Sequence, residues 1–310
     1  MKVLICDKMQ KTCIEILKKE GFEVDEKLDL KENEIVDIIA DYSAVIVRSA
    51  TKITANIINA AGSLKFIGRA GSGVDTIDVP AATAKGIKVM NVPGGNTLSV
   101  VEHTVGLMLS MIRFIPQSCK DLKSGLWEKK KYMGSELYKK TLGIMGIGKI
   151  GCEVAKICKA FDMNVIAYDP LIDKTKDFGV QIVDFETLLK ESDFISIHIP
   201  GGPSTKNLLS DKEFSLCKDK VFIVNCARGG IINEADALKH LNSGKIAGLA
   251  LDVFSKEPPE ANDPLINHPN VIATPHLGAS TKEAQARVAI SIAHQIADAL
   301  HGKAIVGAVN

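Results

Sequence analysis

The chain has 310 residues, 46% of them apolar and 24% charged, with 38 basic and 37 acidic side chains and a net charge of +1. That length fits about two domains, and the even charge balance excludes a strongly basic nucleic-acid footprint or electrostatic attachment to a membrane surface. The seven cysteines, at positions 6, 13, 119, 152, 158, 217 and 226, are odd in number and never form a CxxC pair, so they read as small apolar residues in a reducing compartment, with no disulfide or metal framework. No apolar run approaches the roughly 18 residues of a membrane span, and MKVLICDK leads directly into a strand, unlike a signal peptide. The expectation is a cytoplasmic protein that engages neither nucleic acid nor membrane.

From the N-terminus, short apolar runs at 3–6, 44–47, 66–67 and 87–90 alternate with helical patterns near 9–19, 31–40, 54–61 and 78–85. This alternation predicts an open parallel sheet, a first α/β domain. Residues 97–114 begin with a threonine cap and are apolar almost all round, as a buried or interface helix would be. The polar stretch 115–140, with Lys129, Lys130 and Lys131 in sequence, reads as a solvated loop.

The stretch TLGIMGIGKIGCEVAKICKAFDMNVIAYDP, residues 141–170, carries the most information. An apolar run, Leu142 to Met145, leads into Gly146-Ile-Gly148-Lys-Ile-Gly151. Ile150, Val154, Ile157 and Phe161 then recur at i, i+4, i+7 and i+11, one face of a helix packed on a sheet. A second apolar run ends at Asp169, 18 residues past Gly151. Together these form the dinucleotide-binding fingerprint in its required context. Gly146 permits the tight turn, Gly148 lets the backbone approach a pyrophosphate, and Gly151 lets helix and strand pack closely. The helix N-terminus then binds the diphosphate. A carboxylate at Asp169 accepts hydrogen bonds from both ribose hydroxyls and repels a 2′-phosphate, since two like charges ~4 Å apart cost about 4 kcal/mol at an effective dielectric of 20. NAD is therefore expected over NADP.

Beyond the fingerprint, strands are expected at 165–168, 194–199, 221–225, 247–251 and 271–274, and helices near 150–161, 185–190 and 234–242. With the strand at 142–145, the second sheet has at least six strands. A last helix over 280–300 opens with a Ser/Thr cap and an early acid. In such sheets ligands bind outside the carboxyl ends of the strands. Three polar sites directly follow apolar runs there: Arg228 after 221–225, Asp252 and Glu257 after 247–251, and His276 after 271–274. A guanidinium offers a planar fork to a carboxylate. An imidazole can move the proton that accompanies hydride transfer, and a carboxylate on its second nitrogen fixes the tautomer. Each residue alone also has an ordinary structural reading: His276 as a capped loop residue, Glu257 as a solvated acid, Arg228 as a turn pin, and Asp252 as an acceptor for backbone donors.

The stretches VRSATKIT (47–54), GRAGSGVDTID (68–78), GIMGIGKIG (143–151), VNCARGGIIN (224–233), ALDVFSKEPP (250–259) and TPHLGASTKEAQ (274–285) resemble the D-2-hydroxyacid dehydrogenase family, and the resemblance covers nearly the whole chain. It implies a Rossmann-type NAD-binding domain over 98–284. It further implies a smaller, discontinuous flavodoxin-like substrate-binding domain over 1–97 plus 285–310, an active site in the cleft between them, and a homodimer built through the cofactor domain. His276 is then the acid/base, Glu257 its partner and Arg228 the substrate anchor. Gly146, Gly148, Lys149, Ile150, Gly151, Asp169, Cys226, Ala227, Arg228, Asp252, His276 and Gly278 match positions touching NAD. Arg48, Ser49, Gly71, Ser72 and Gly73 match the loops that hold the substrate's acid groups, alongside Arg228 and His276. We read Gly71 to Gly73 as a nest of backbone N–H groups for those anions.

The reaction implied is NAD-dependent oxidation of a phosphorylated 2-hydroxy acid, 3-phospho-D-glycerate, to 3-phosphohydroxypyruvate, the first step of serine synthesis. Arg48 and Lys52, with a basic residue of the 129–131 run reaching across a dimer, are candidate phosphate contacts. The alternatives are a glyoxylate/hydroxypyruvate reductase and an NAD-sensing, protein-binding scaffold like the C-terminal-binding corepressors. After His198 the chain reads Ile-Pro-Gly-Gly where many relatives carry threonine, which removes one expected hydroxyl contact to the cofactor. Larger relatives continue into regulatory domains where HGKAIVGAVN stands here, so feedback control by an amino acid bound to such a domain is not expected.

Overall fold

The computed structural model describes residues 1–172 and 177–310. The chain divides into two compact units, one formed by Met1–Asn96 with Ala279–Asn310 and the other by Thr97–Gly278. The second crossing between units falls at 278/279, earlier than the expected 284/285. The whole helix Lys282–Leu300 packs within the first unit, on its sheet and first helix.

The first unit alternates β1 (Lys2–Ile5), α1 (Lys11–Lys19), β2 (Glu23–Glu26), α2 (Glu32–Ile38), β3 (Ala44–Val47), α3 (Ala55–Ala60), β4 (Phe66–Arg69), α4 (Val79–Ala84) and β5 (Lys88–Met90). Its strands are parallel in the order β2-β1-β3-β4-β5, the flavodoxin-like arrangement. Val3, Leu4 and Ile5, and all four residues of β3, are fully buried. Helices cover both faces of such a sheet, so its inner strands read as unbroken apolar runs. Edge strand β2, EVDE, has one apolar residue and was not anticipated; its charges blunt an exposed edge, and only its parallel register with β1 reveals it. The C-terminal helix is capped by Thr281, whose Oγ1 accepts from Ala284 N–H at 3.1 Å. It buries Val288, Ile292 and Ile296. The tail then returns to β5, with Val309 N–H donating to Val89 O at 2.8 Å.

The second unit runs α5 (Thr97–Ile112), α6 (Ile115–Lys123), β6 (Thr141–Met145), α7 (Lys149–Ala160), β7 (Asn164–Tyr168), β8 (Gln181–Ile182), α8 (Phe185–Glu191), β9 (Phe194–Ile197), α9 (Asp211–Leu216), β10 (Val221–Asn225), α10 (Glu234–Asn242), β11 (Ile246–Leu251) and β12 (Val271–Ala273). The sheet is parallel, ordered β12-β11-β10-β9-β6-β7-β8. Counted from β6 this is the doubly wound dinucleotide order with a seventh strand added, and its switch point lies between β6 and β9.

Helix α5 is buried along much of its length, through Val100, Val101, Thr104, Met108 and Ile112 among others, and packs on α7 and β11. Part of the expected loop 115–140 is helical. α6 has a proline in its first turn and lysines in its last but no buried residue, so no apolar periodicity marks it, although the proline is a start signal. Among the described residues, no single helix is long and apolar enough to cross a membrane.

Candidate functional site

The glycine turn sits at the switch point. Gly146 has φ +93°, and its N–H donates to Tyr168 O at 2.8 Å. A Cβ built there would lie 2.7 Å from the carbonyl oxygen of His198, just past β9. A Cβ on Gly151 would collide with the Gly146 carbonyl oxygen, so the first turn of α7 can cross the loop only over a glycine. Gly148 caps α7 without a side chain and has open space where its Cβ would be. Ile150 packs on the core and Lys149 is exposed. First-turn N–H groups of a helix lack acceptors within the helix, which is the anion-binding property expected of this turn.

Asp169 does more than sequence reasoning assigns to it. Its Oδ2 accepts from Ile147 N–H at 3.0 Å and its Oδ1 from Leu171 N–H at 2.9 Å. The carboxylate thereby fastens the glycine turn to the end of β7. Each oxygen keeps a second lone pair for a further donor. The open helix start, the tight turn and the adjoining acid fit a dinucleotide.

Beneath the switch point, His198 Nε2 lies 2.8 Å from Ser196 Oγ, and its Nδ1 is buried with no hydrogen-bond partner. Burial pushes its pKa down from 6.5 to about 4. With the folded value below the unfolded one, the neutral ring contributes fully above pH 6.5, and stability is lost as pH falls from 6.5 to about 4. That loss is at most about 3 kcal/mol. Urea unfolding across this window should show it, and His198→Asn should flatten the slope.

Three loops beyond the sheet carry the remaining candidates. After β10, buried Asn225 accepts from Ala227 N–H at 3.0 Å and donates to Arg228 O at 2.9 Å, shaping the turn Cys226-Ala227-Arg228. Arg228 is partly buried, and its Nη1 donates to Ala227 O at 2.7 Å. Burial raises the Cys226 thiol to about 12, so it is a wall and not a nucleophile at neutral pH. After β12, His276 adopts φ +54°, rare for a residue with a side chain. Its Nδ1 lies 2.8 Å from Glu257 Oε2, and Glu257 Oε1 accepts from Phe254 N–H at 3.1 Å. A carboxylate only accepts, so Nδ1 carries the proton of this bond and Nε2 is the nitrogen left for chemistry. The imidazole is 53% exposed, which leaves it accessible to a ligand.

Asp252 is the hub of these loops. Its side chain is 1% exposed, and Oδ1 accepts from Thr274 Oγ1 at 2.6 Å and Leu277 N–H at 2.7 Å while Oδ2 accepts from Gly278 N–H at 2.8 Å. The carboxylate is held by protein donors and braces the loop carrying His276. Gly278 is buried in the same brace. A fourth contact, His103 Nε2 from α5 at 3.2 Å from Asp252 Oδ1, was not anticipated. Its one sequence signal is a histidine inside an otherwise apolar helix.

In the first unit, buried Asp7 at the end of β1 accepts from Arg48 N–H, from Thr51 N–H at 3.1 Å and from Thr51 Oγ1 at 2.6 Å. This ties down the loop after β3, on which Arg48 is partly exposed and Ser49 and Lys52 are exposed. A cavity of about 420 Å³ beside it is lined by Asp7, Asp29, Glu32, Thr51 and Lys52. The Gly71–Gly73 loop is partly hydrogen-bonded within the protein. Gly71 N–H donates to Arg69 O at 2.9 Å, and Ser72 Oγ lies 2.8 Å from Asn96 Oδ1. The Arg69 guanidinium lies where a Cβ on Gly71 would be, so it adds a cation that sequence reasoning left out. Asp7→Ala would strand three donors. It is expected to cost the first unit about 1–3 kcal/mol, read by thermal unfolding.

A doubly wound sheet with the glycine fingerprint and its acid at the switch point, and with a His–Glu pair and an arginine on loops beyond neighbouring strands, defines an NAD-linked oxidoreductase class. Residues 105–278 match the family described as D-isomer specific 2-hydroxyacid dehydrogenase, NAD binding domain. The chain belongs to this family, and its second unit is the NAD-binding domain. It is 47% identical over 312 residues to a D-3-phosphoglycerate dehydrogenase of Archaeoglobus fulgidus and 50% identical over 311 residues to that of Homo sapiens, covering 100% of this chain in both. It spans 59% and 58% of the length of those relatives. Among solved structures, it resembles a glyoxylate reductase from Paecilomyes thermophila, with TM-score 0.92 and 28% identity over 100% of this chain and 98% of the other. The TT0316 protein of Thermus thermophilus gives TM-score 0.93 and 28% identity, with both chains fully covered.

Proposed function

We propose that the chain oxidises 3-phospho-D-glycerate to 3-phosphohydroxypyruvate with NAD, the first step of serine synthesis. The observation that carries this reading is the His276–Glu257 pair, 2.8 Å apart on the NAD-binding unit, in a chain half identical to D-3-phosphoglycerate dehydrogenases. Bound NAD supplies the hydride acceptor. In the oxidative direction, His276 Nε2 takes the hydroxyl proton while Glu257 holds Nδ1–H and stabilises the imidazolium. In reverse, Nε2–H returns the proton to the carbonyl oxygen. Arg228 offers its fork to the carboxylate at C1, and Asp169 selects NAD over NADP.

Arg48 and Lys52 serve the phosphate, together with a lysine of the 129–131 run of the second copy in the dimer. Lys131 is already paired with Asp121 at 2.8 Å, which favours Lys129 or Lys130. We also propose a homodimer through the NAD-binding unit. Trp127 is 80% and Met133 84% exposed, near the exposed side chains of Ile115, Leu122 and Leu126 in sequence, and large apolar residues left open in this way mark interaction surfaces. The free state of all seven cysteines supports a cytoplasmic location.

The test is NADH oxidation by the purified chain over a panel of 2-oxo acids. Turnover with at least one is expected; none on any would favour the protein-binding scaffold.

A further inference from the structure

We infer that His103 is a positioning residue for this reaction: by holding Asp252 from helix α5, it fixes the loop that keeps His276 in its left-handed conformation. The inference rests on the acid/base reading of His276.

The loop Thr274 to Gly278 is held as a chord. Asp252 accepts from Thr274 Oγ1 at one end and from the N–H groups of Leu277 and Gly278 at the other. His276, with φ +54°, lies between these anchors. A positive φ in a residue with a side chain persists only where its surroundings over-determine it. Three of the four donors around the Asp252 carboxylate come from the loop itself, while its backbone is tied to β10 through Asp252 N–H donating to Asn225 O at 3.0 Å. His103 is the donor that comes from elsewhere, with Nε2 3.2 Å from Asp252 Oδ1 and 3.1 Å from Thr274 Oγ1.

The proton assignment is determined by its neighbours. Burial opposes the charge on Asp252, but the hydrogen bonds from His103, Thr274, Leu277 and Gly278 outweigh it and hold the carboxyl below its ordinary range, so it is an acceptor at neutral pH. Thr274 spends its hydroxyl proton on that carboxylate and can itself only accept from Nε2. The proton of the shared contact therefore sits on His103 Nε2, whose two acceptors close a triangle of three side chains. On its apolar side the same helix meets the loop again. A Cβ built on Gly278 would lie 3.4 Å from Val100 Cγ2 and 3.2 Å from Asp252 Oδ2, so the glycine is seated between helix and brace. His103 reaches neither Nε2 of His276 nor Glu257 in any recorded contact; its action on the chemistry passes through Asp252.

The variants that test this differ in whether a donor is present and in how far it reaches. His103→Gln places an amide N–H near the position of Nε2. His103→Leu keeps the volume and removes the donor, and His103→Asn keeps polarity but falls short of the carboxylate. A misplaced catalytic group commonly costs one to two orders of magnitude in rate. His103→Leu and His103→Asn are thus expected to lower kcat about tenfold, with NADH affinity and KM for the 2-oxo acid within about twofold of wild type, and His103→Gln should restore most of kcat. Loss of stability alone would not split kcat from KM, nor follow amide reach. If one of the donor-deleting variants fails to fold, the other with His103→Gln still gives the comparison.

His276→Ala is assayed alongside. If it is inactive while His103→Leu and His103→Asn turn over like wild type, the positioning role is overturned and the acid/base reading stands. If His276→Ala keeps normal turnover, both fall.

Discussion

His276→Ala is expected to lower kcat by about 10²- to 10⁴-fold, the range contributed by a positioned acid/base, while NADH binds nearly as in wild type. The separation follows from where the parts lie. On the proposed reading the glycine turn before α7 and Asp169, whose carboxylate is fastened to Ile147 N–H, serve the diphosphate and ribose, whereas His276 follows β12 at the far edge of the sheet order. The variant also leaves Glu257 bonded to Phe254 N–H, so the loop after β11 keeps an anchor. Stopped-flow turnover with NADH fluorescence titration reads both quantities. Wild-type turnover would reassign the acid/base.

Asp252→Ala is expected to be the most damaging change to stability in the second unit. It strands His103 Nε2, Thr274 Oγ1 and the N–H groups of Leu277 and Gly278 around a carboxylate now 1% exposed. Each buried donor left unsatisfied costs about 1–3 kcal/mol. The pH dependence has a definite sign. Burial raises the Asp252 pKa, but the four donors outweigh it and the net shift is downward. A lowered folded pKa gives stability that is present above the unfolded carboxylate value of about 3.9 and is lost as pH falls through the folded value. The gap between wild type and Asp252→Ala in urea should be largest near neutrality and narrow below about pH 4. A gap unchanged with pH would mean that the charge contributes nothing.

Both sheets were legible because their central strands are continuous apolar runs, as in β3, where four consecutive residues are fully buried. The fingerprint was legible because its glycines answer steric demands: at Gly151 a Cβ would strike the Gly146 carbonyl. What escaped was held by pairing or by local polar chemistry. Edge strands β2 and β8 have too few apolar residues to show a period, and α6 buries nothing. His276 and Glu257 were named from strand-end position, but their 2.8 Å contact depends on two loops converging. The same convergence makes Asp252 a brace, because four donors from two segments meet on it. Arg69 and Asp7 were missed for a related reason: their roles lie in what they hold across a turn, and no spacing in the sequence encodes it.

On the proposed function this site forms and reduces a phosphorylated 2-oxo acid. The most direct measurement is kcat/KM for NADH-dependent reduction of 3-phosphohydroxypyruvate and of hydroxypyruvate, made side by side on wild type. A hydrogen bond to a charged group is worth about 1.5–3 kcal/mol, so phosphate contacts predict a preference of roughly 10- to 100-fold for the phosphorylated acid. Equal efficiency on the two, or a preference for the unphosphorylated one, would contradict it and move the assignment to a hydroxypyruvate reductase.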